Sequence, residues 1–307
     1  MNKTDVLWQI LRSIQRQYNS GDHQLRHQDL LNAIQIRHVD GIENGIDPEL
    51  ATFYTNDENH GRVPVLFVTN NPLRSSREIR RRLRATGLKD IFAKSKIISF
   101  DDWAGFNEAS ELWDILRTDV IKPLQRRDFE FIFYLGRVAH RRSFEVDEIL
   151  DIISDFSFNG NVTLVLNHRE TSELQKLITG DQGSGRFRLP EAGELIFKAM
   201  RIRRLLVYSP DHHITMYSKE GRQEWAGRKI SSPNLDGSGK DFFTIGYVLG
   251  LLLELEPLHC SALGLTLSGA YLRHEEIRDL QALLAYIRNW INELDETLLE
   301  HNKQITI

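Results

Sequence analysis

The chain has 307 residues, a formal net charge of −4 and 41% hydrophobic residues. That length holds one large α/β domain or two small ones, and the mild acidity argues against wholesale nucleic-acid binding. A single cysteine, Cys260, excludes an intrachain disulfide and a cysteine-based zinc site.

The opening stretch, MNKTDVLWQILRSIQRQYNS, carries charges throughout and lacks the apolar run of a signal peptide. The longest uncharged apolar stretch, 242–253, falls short of the roughly 18 residues a membrane span needs. A soluble, cytoplasmic protein with no membrane contact is the expectation.

Apolar residues at Val6, Leu7, Ile10, Leu11 and Ile14 predict a helix over 4–18, and a second helix is expected over 28–36. Residues 37–62 show no period and read as loop. The pattern then changes. VPVLFVTN (63–70) is a short β-rich run of the kind that forms a buried parallel strand. SREIRRRLRATG (76–87) predicts a helix ended by Gly87, and its five arginines between 77 and 84 read first as a solvated face. KIISF (96–100) is a strand, 109–124 an amphipathic helix, FEFIFYLG (129–136) a strand, and 143–156 a helix. NVTLVLN (161–167) is a strand, 169–180 a helix, and GDQGSG (180–185) a loop. Helix 191–202 and strands 204–209 and 213–218 follow, then helices over 241–255, 258–272 and 275–299. Strands alternating with helices from 63 to 209 predict a parallel sheet covered by helices. The composition shifts near residue 60, which predicts a helical N-terminal extension over 1–60 and an α/β domain over 61–307.

DGSGKD (236–241) runs straight into the apolar helix and has the look of a phosphate-binding turn. A Walker loop needs a glycine five residues before Gly239, where Asn234 stands, and a hydroxyl where Asp241 stands. An ordered series of segments fits another pattern. LVLNHRETSELQKLITG (164–180) places Asn167 and Glu170 as N-x-x-E after a strand. A strand pair follows at 201–221, then DGSGKDFFTIGYVLGLLLEL (236–255), with Asp241 and Gly246 at a set spacing, and SALGLTLSGAYLR (261–273).

In this order the series resembles the ribokinase-like superfamily, specifically its PfkB carbohydrate kinases, over about half of the chain. The resemblance implies a three-layer α/β/α fold with a mostly parallel central sheet. It implies a Mg²⁺-dependent kinase moving the ATP γ-phosphate to an alcohol of a small-molecule sugar or nucleoside. Asp241 would be the catalytic base, and the backbone of Ser238, Gly239, Lys240 and Asp241 the anion hole. Asn167 and Glu170 would organise Mg²⁺ through water, while Ser209 on strand 204–209 and Thr266 on helix 258–272 would flank the nucleotide.

The sequence departs from the pattern at Lys240, where the family has glycine, and at Thr266, where it often has asparagine. The T-x-G-x-x-G after the strand is replaced by YSPDHH, and the first 60 residues lack a G-G-x-x-x-N substrate loop. An inactive member of the fold, acting as a binding or scaffold protein, is therefore the alternative. His212 and His213 resemble a histidine-containing strand of the ADP-dependent sugar kinases, which leaves ADP open as donor; on their own they read as turn residues. His140, Arg141 and Arg142 follow a strand C-terminus, where α/β proteins bind ligands. Nucleic-acid contact through the arginine-rich stretch is the least favoured alternative, and a homodimer stays open.

Overall fold

The computed structural model describes residues 2–19, 65–69, 88–105, 107–180, 187–209, 211–230, 238–273, 277 and 280–305. The predicted helices at 28–36 and 76–87 lie outside the described residues, as does Asp236–Gly237 of the opening turn. In chain order the elements are α1 (Lys3–Asn19), β1 (Val65–Thr69), α2 (Leu88–Lys94), β2 (Ile97–Asp101) and α3 (Ala109–Ile115). Helix α3 runs on through a wider turn over Leu116–Ile121 and a tight one over Lys122–Leu124. Then come β3 (Phe129–Tyr134), α4 (Ser143–Asp155), β4 (Gly160–Asn167), α5 (His168–Thr179), α6 (Leu189–Ala199), β5 (Arg204–Ser209), β6 (His213–Ser218) and β7 (Gly221–Ala226). Three helices close the chain: α7 (Ser238–Leu252), α8 (Pro257–Leu272) and α9 (Leu280–Ile305).

The chain divides into two compact units, one of residues 42–209 and 215–223, the other of 1–41, 210–214 and 224–307. The sheet has the order β1-β2-β3-β4-β5-β6-β7. Strands β1 to β5 are parallel to their neighbours. The three residues between β5 and β6 are too few for a parallel crossover, so β6 turns back. The class is the α/β type with a mostly parallel, helix-flanked sheet that the alternating pattern predicts.

In the first unit, alternate residues of one strand explain the core. Phe129, Phe131 and Phe133 point to the face where α2 to α6 bring Phe92, Trp113, Ile149, Leu174 and Ile196. Right-handed crossovers between strands in a monotonic order send each connecting helix to that same side. Phe100 and Phe133, partners across β2 and β3, stack with centroids 4.7 Å apart. Trp113 leans on both at 5.3 Å, and Phe156 meets Phe133 edge-on at 5.0 Å. The opposite residues Ile132 and Tyr134 are buried as well, so β3 is covered on two faces, which is why its sequence lacks hydrophobic alternation.

In the second unit, α1 packs on α8 and α9, and the five apolar residues that predicted it are at most 1% exposed. Helices α7 and α8 form a hairpin across a four-residue link, Leu253–Glu256.

His212 belongs to this unit and lies in the turn that the sequence predicted, to which the structure adds burial. It is a core residue, 2% exposed, in a left-handed conformation with φ 61°. Its Nδ1 lies 3.0 Å from the Arg228 carbonyl. A Cβ at Gly269 would come within 2.8 Å of the imidazole, and one at Gly227 would overlap it, so both positions need glycine. Burial drives its pKa from 6.5 down to about 4, against the raising effect of the carbonyl contact. The folded-state value thus lies below the unfolded one. The stability that neutral His212 allows is fully present above about pH 6.5 and drains as pH falls to about 4. The loss sums to about 3 kcal/mol. Urea midpoints between pH 4 and 7 should fall steeply for the wild type and less so for His212→Gln; parallel curves would disprove the assignment.

Beside it, Arg228 Nε donates to Glu293 Oε2 at 2.8 Å, and its guanidinium lies over the Tyr286 ring at 4.8 Å. The hydrogen bond from Arg228 holds the Glu293 carboxyl below the usual carboxylate range.

Candidate functional site

Helix α7 begins at Ser238, three residues earlier than periodicity predicted. Asp241 is therefore the fourth helical residue and not a residue that caps the helix from outside. The first four N–H groups of a helix lack intrahelical partners, and in α7 these belong to Ser238, Gly239, Lys240 and Asp241. The helix dipole adds positive potential at the same end. Gly239 is buried and Lys240 half-buried. Thr244, wholly buried, donates its Oγ1 to the Lys240 carbonyl at 2.8 Å and stiffens the first turn.

The rest of α7 is held by close contact with α8. A Cβ on Gly246 would lie 2.5 Å from the Leu263 carbonyl oxygen and 2.7 Å from Gly264 Cα. One on Gly250 would lie 2.7 Å from Cys260 Cα. The neighbours are backbone and cannot swing away. Gly246→Ala is expected to destabilise the protein by about 1–3 kcal/mol, the usual penalty of overpacking, read as a lower thermal midpoint. An unchanged midpoint would show that the helices can separate freely.

Asn167 ends β4, and Glu170 lies in the first turn of α5. Together they form a capping box. Glu170 N–H donates to Asn167 Oδ1 at 2.8 Å, and Asn167 N–H donates to Glu170 Oε2 at 2.8 Å. Thr171 Oγ1 donates to the Asn167 carbonyl at 2.8 Å. The N-x-x-E spacing thus has a local structural cause. Among the described residues no group of three or more His, Cys, Asp or Glu could hold a metal ion. A hard cation that keeps most of its water does not need such a cage. The pair fits Mg²⁺ bound through water.

Ser209 closes β5 and is half-buried. Thr266 is 1% exposed, and its hydroxyl donates to the Ala262 carbonyl of its own helix at 2.8 Å. As placed, it backs α8 and offers no hydroxyl to a ligand.

Sequence reasoning singled out His140, Arg141 and Arg142 in the loop from β3 to α4, but not what anchors that loop. Gly136, with φ 75°, and Gly105 both lie against the Asp102 carboxylate, where any Cβ would overlap it. Asp102 is itself left-handed, with φ 54°, at the carboxyl end of β2. The cradle fixes where the loop leaves β3. The signal was the Leu-Gly pair after an apolar strand, but its partner Asp102 lies 34 positions earlier in the chain. Farther along, Arg141 turns inward. Its Nη1 donates to Asn107 Oδ1 at 2.9 Å, and its guanidinium lies over Trp103 at 5.1 Å. Arg137, His140 and Arg142 are exposed.

No protein-family model matches the chain, and no curated protein matches it by sequence. Solved structures do match. Adenosine kinase from Anopheles gambiae, in complex with P1,P4-di(adenosine-5) tetraphosphate, is similar at a TM-score of 0.50 and 15% identity, over 64% of this chain and 56% of that one. Adenosine kinase from Sinorhizobium meliloti gives 0.48 and 15%, over 66% and 56%. Ribokinase from Thermotoga maritima gives 0.47 and 13%, over 65% and 59%. The chain spans less than two thirds of the length of each of these structures. At such identities the likeness speaks to the fold alone, and the first of the three carries it. With the parallel sheet, the β5–β6 turn and the closing helix pair, the chain has the ribokinase-like fold.

Proposed function

We propose that the chain is a Mg²⁺-dependent phosphotransferase that moves the ATP γ-phosphoryl group to an alcohol of a sugar or nucleoside. The observation that carries this reading is the place of Asp241, in the first turn of a 15-residue helix that opens at Ser238. A carboxylate there can take the proton of an attacking hydroxyl. The backbone N–H groups of Ser238, Gly239, Lys240 and Asp241 can meet the charge that develops on the transferring group. Asn167 and Glu170 hold Mg²⁺ through its water. The ion, when bound, neutralises phosphate charge. Ser209, at the end of β5, flanks the nucleotide, which is ATP or, in a variant of the reading, ADP.

The capping box favours a second reading, an inactive member of the fold that acts as a partner-binding or scaffold protein, because it gives Asn167 and Glu170 a sufficient structural role. Thermal unfolding with ATP, ADP and AMP, with and without Mg²⁺, separates the two. A nucleotide at about 100 times its Kd adds about 2.7 kcal/mol of stability. The phosphotransferase reading expects a Mg²⁺-dependent shift that Glu170→Ala and Asn167→Ala shrink. The shift must be compared within each variant, since loss of the cap itself removes about 1 kcal/mol. A wild type indifferent to all three nucleotides would end the reading.

A further inference from the structure

We infer that the phosphoryl acceptor carries a negative group of its own, a phosphate or a carboxylate, bound by Arg137, His140 and Arg142 at the carboxyl end of β3. The inference deepens the phosphotransferase reading and rests on it.

Two observations converge. The first is the state of the three side chains. They are exposed, and among the described residues Arg137, His140 and Arg142 make no ion pair. Their neighbour Arg141, with its side chain only 7% exposed, lies 3.7 Å from Glu145 and is tied to Asn107. Arg169 on the adjacent helix is engaged by Glu173 at 2.8 Å. The same carboxylate reaches across to the loop, accepting from Ala139 N–H at 3.2 Å. Glu173 therefore fixes the loop through its backbone and leaves the Arg137 and Arg142 guanidinium groups without an ion pair, that of Arg142 lying over the Phe144 ring at 5.9 Å. At the root, Gly136 is wedged against Asp102, and at the far end Arg142 N–H donates to Glu145 Oε2 at 2.8 Å. Cations on a loop anchored at both ends are prepared for an anion.

The second observation is their place in the strand order. The strands run β3-β4-β5 as parallel neighbours, so their carboxyl ends share one edge. Strands lie about 4.8 Å apart. In the functional reading β5 flanks the nucleotide and β4 carries the metal pair. The cationic loop stands on β3, the other side of β4 from β5. In-line transfer needs donor and acceptor on opposite sides of the moving phosphoryl group. The loop is thus on the acceptor side, and its anion is the acceptor's.

Calorimetry on the full chain, without nucleotide, tests this with ribose 5-phosphate, gluconate, ribose and inorganic phosphate. A charge-assisted pair of hydrogen bonds predicts about tenfold or greater preference for an anionic sugar over ribose. Ribose 5-phosphate and inorganic phosphate binding together would identify a phosphate; gluconate alone would identify a carboxylate. Arg137→Ala/Arg142→Ala should erase the preference and leave the Mg²⁺·ATP shift intact. The paired lysine variant should restore part of it. Equal affinity for all four probes overturns the proposal, and so does a preference that survives in the double alanine variant. Loss of the Mg²⁺·ATP shift in that variant also overturns it, by giving the arginines to the donor. Anion preference in a wild type that ignores nucleotides would instead refute the phosphotransferase reading and support an anion site alone.

Discussion

Asp241→Asn is expected to lower kcat by at least about a hundredfold, within the usual range for a general base, with the Mg²⁺·ATP thermal shift nearly unchanged. Asparagine keeps the size of aspartate, but it loses the charge, turns one acceptor oxygen into a donor and cannot take a proton. The fourth helical position makes the substitution clean. A residue outside the helix that capped it would cost stability when changed; a residue already inside the first turn loses only a modest dipole interaction, about 0.3–1 kcal/mol. Folding and catalysis therefore separate. Turnover with a candidate acceptor should collapse while the thermal midpoint moves by a degree or two. Full turnover in Asp241→Asn would remove the base and leave the anion-binding helix start as the sole functional feature of α7. A Lys240→Ala comparison shows whether the residue in the family's glycine position helps or hinders: faster turnover marks it as an obstruction, slower turnover as a phosphate donor.

The parts of this molecule that were legible in its sequence are those whose cause is local. The apolar run of β4, the Asn167-x-x-Glu170 spacing and the small residue Gly246 each report on neighbours within a few turns or one helix hairpin. The apolar run FEFIFY marked a strand, and its lack of a regular polar face matches burial on both sides. Strand β7 was missed. Its residues Gly221–Ala226 are polar and mostly exposed, so an edge strand written in Arg, Gln and Glu resembles a loop. Helix α2 was missed as well, since seven residues give too little period to read. His212 is the turn residue that the sequence predicted, but its burial was not legible. A histidine beside Pro210 and Asp211 looks like turn chemistry, and only the glycines at 227 and 269 make room to bury it. Likewise nothing near Arg137 in the sequence separates an engaged arginine from an idle one. That distinction needs the carboxylates of Glu145 and Glu173, which the fold brings to the loop from two different helices.

The same limit applies to the second large effect, which lies at the other end of the strands. Glu130 in β3 and Arg204 in β5 are single charges in otherwise apolar strands, and alone each looks like a solvent-facing residue. Register joins them: Glu130 pairs with Asn161 and Arg204 with Thr163, so β4 lies between the two. Arg204 Nη2 reaches Glu130 Oε2 at 2.5 Å, and its Nε donates to Thr163 Oγ1 at 3.1 Å. Asn161 Nδ2 donates to the other Glu130 oxygen at 2.7 Å. The side chains are 7% and 17% exposed, so water screens the pair little. Glu130→Ala should destabilise the protein by about 3–5 kcal/mol, because it takes from a buried guanidinium the carboxylate it is hydrogen-bonded to. For a chain of 307 residues that is a fall in Tm of about 5 to 8 °C. Glu130→Leu combined with Arg204→Met should recover most of the loss, since the paired apolar replacement removes the desolvation penalty along with the attraction. If the single variant loses less than about 1 kcal/mol, the range of a surface pair, the bridge is solvated and its role in locking β3, β4 and β5 in register falls. If the double variant is as unstable as the single one, the network is held by shape and by the Asn161 and Thr163 hydrogen bonds, and charge is incidental. The pair lies at the amino ends of the strands, away from Asn167 and Ser209 at the carboxyl ends. Its loss should therefore change how long the protein survives heating without changing what it binds, which separates the scaffold of the sheet from the edge assigned to chemistry.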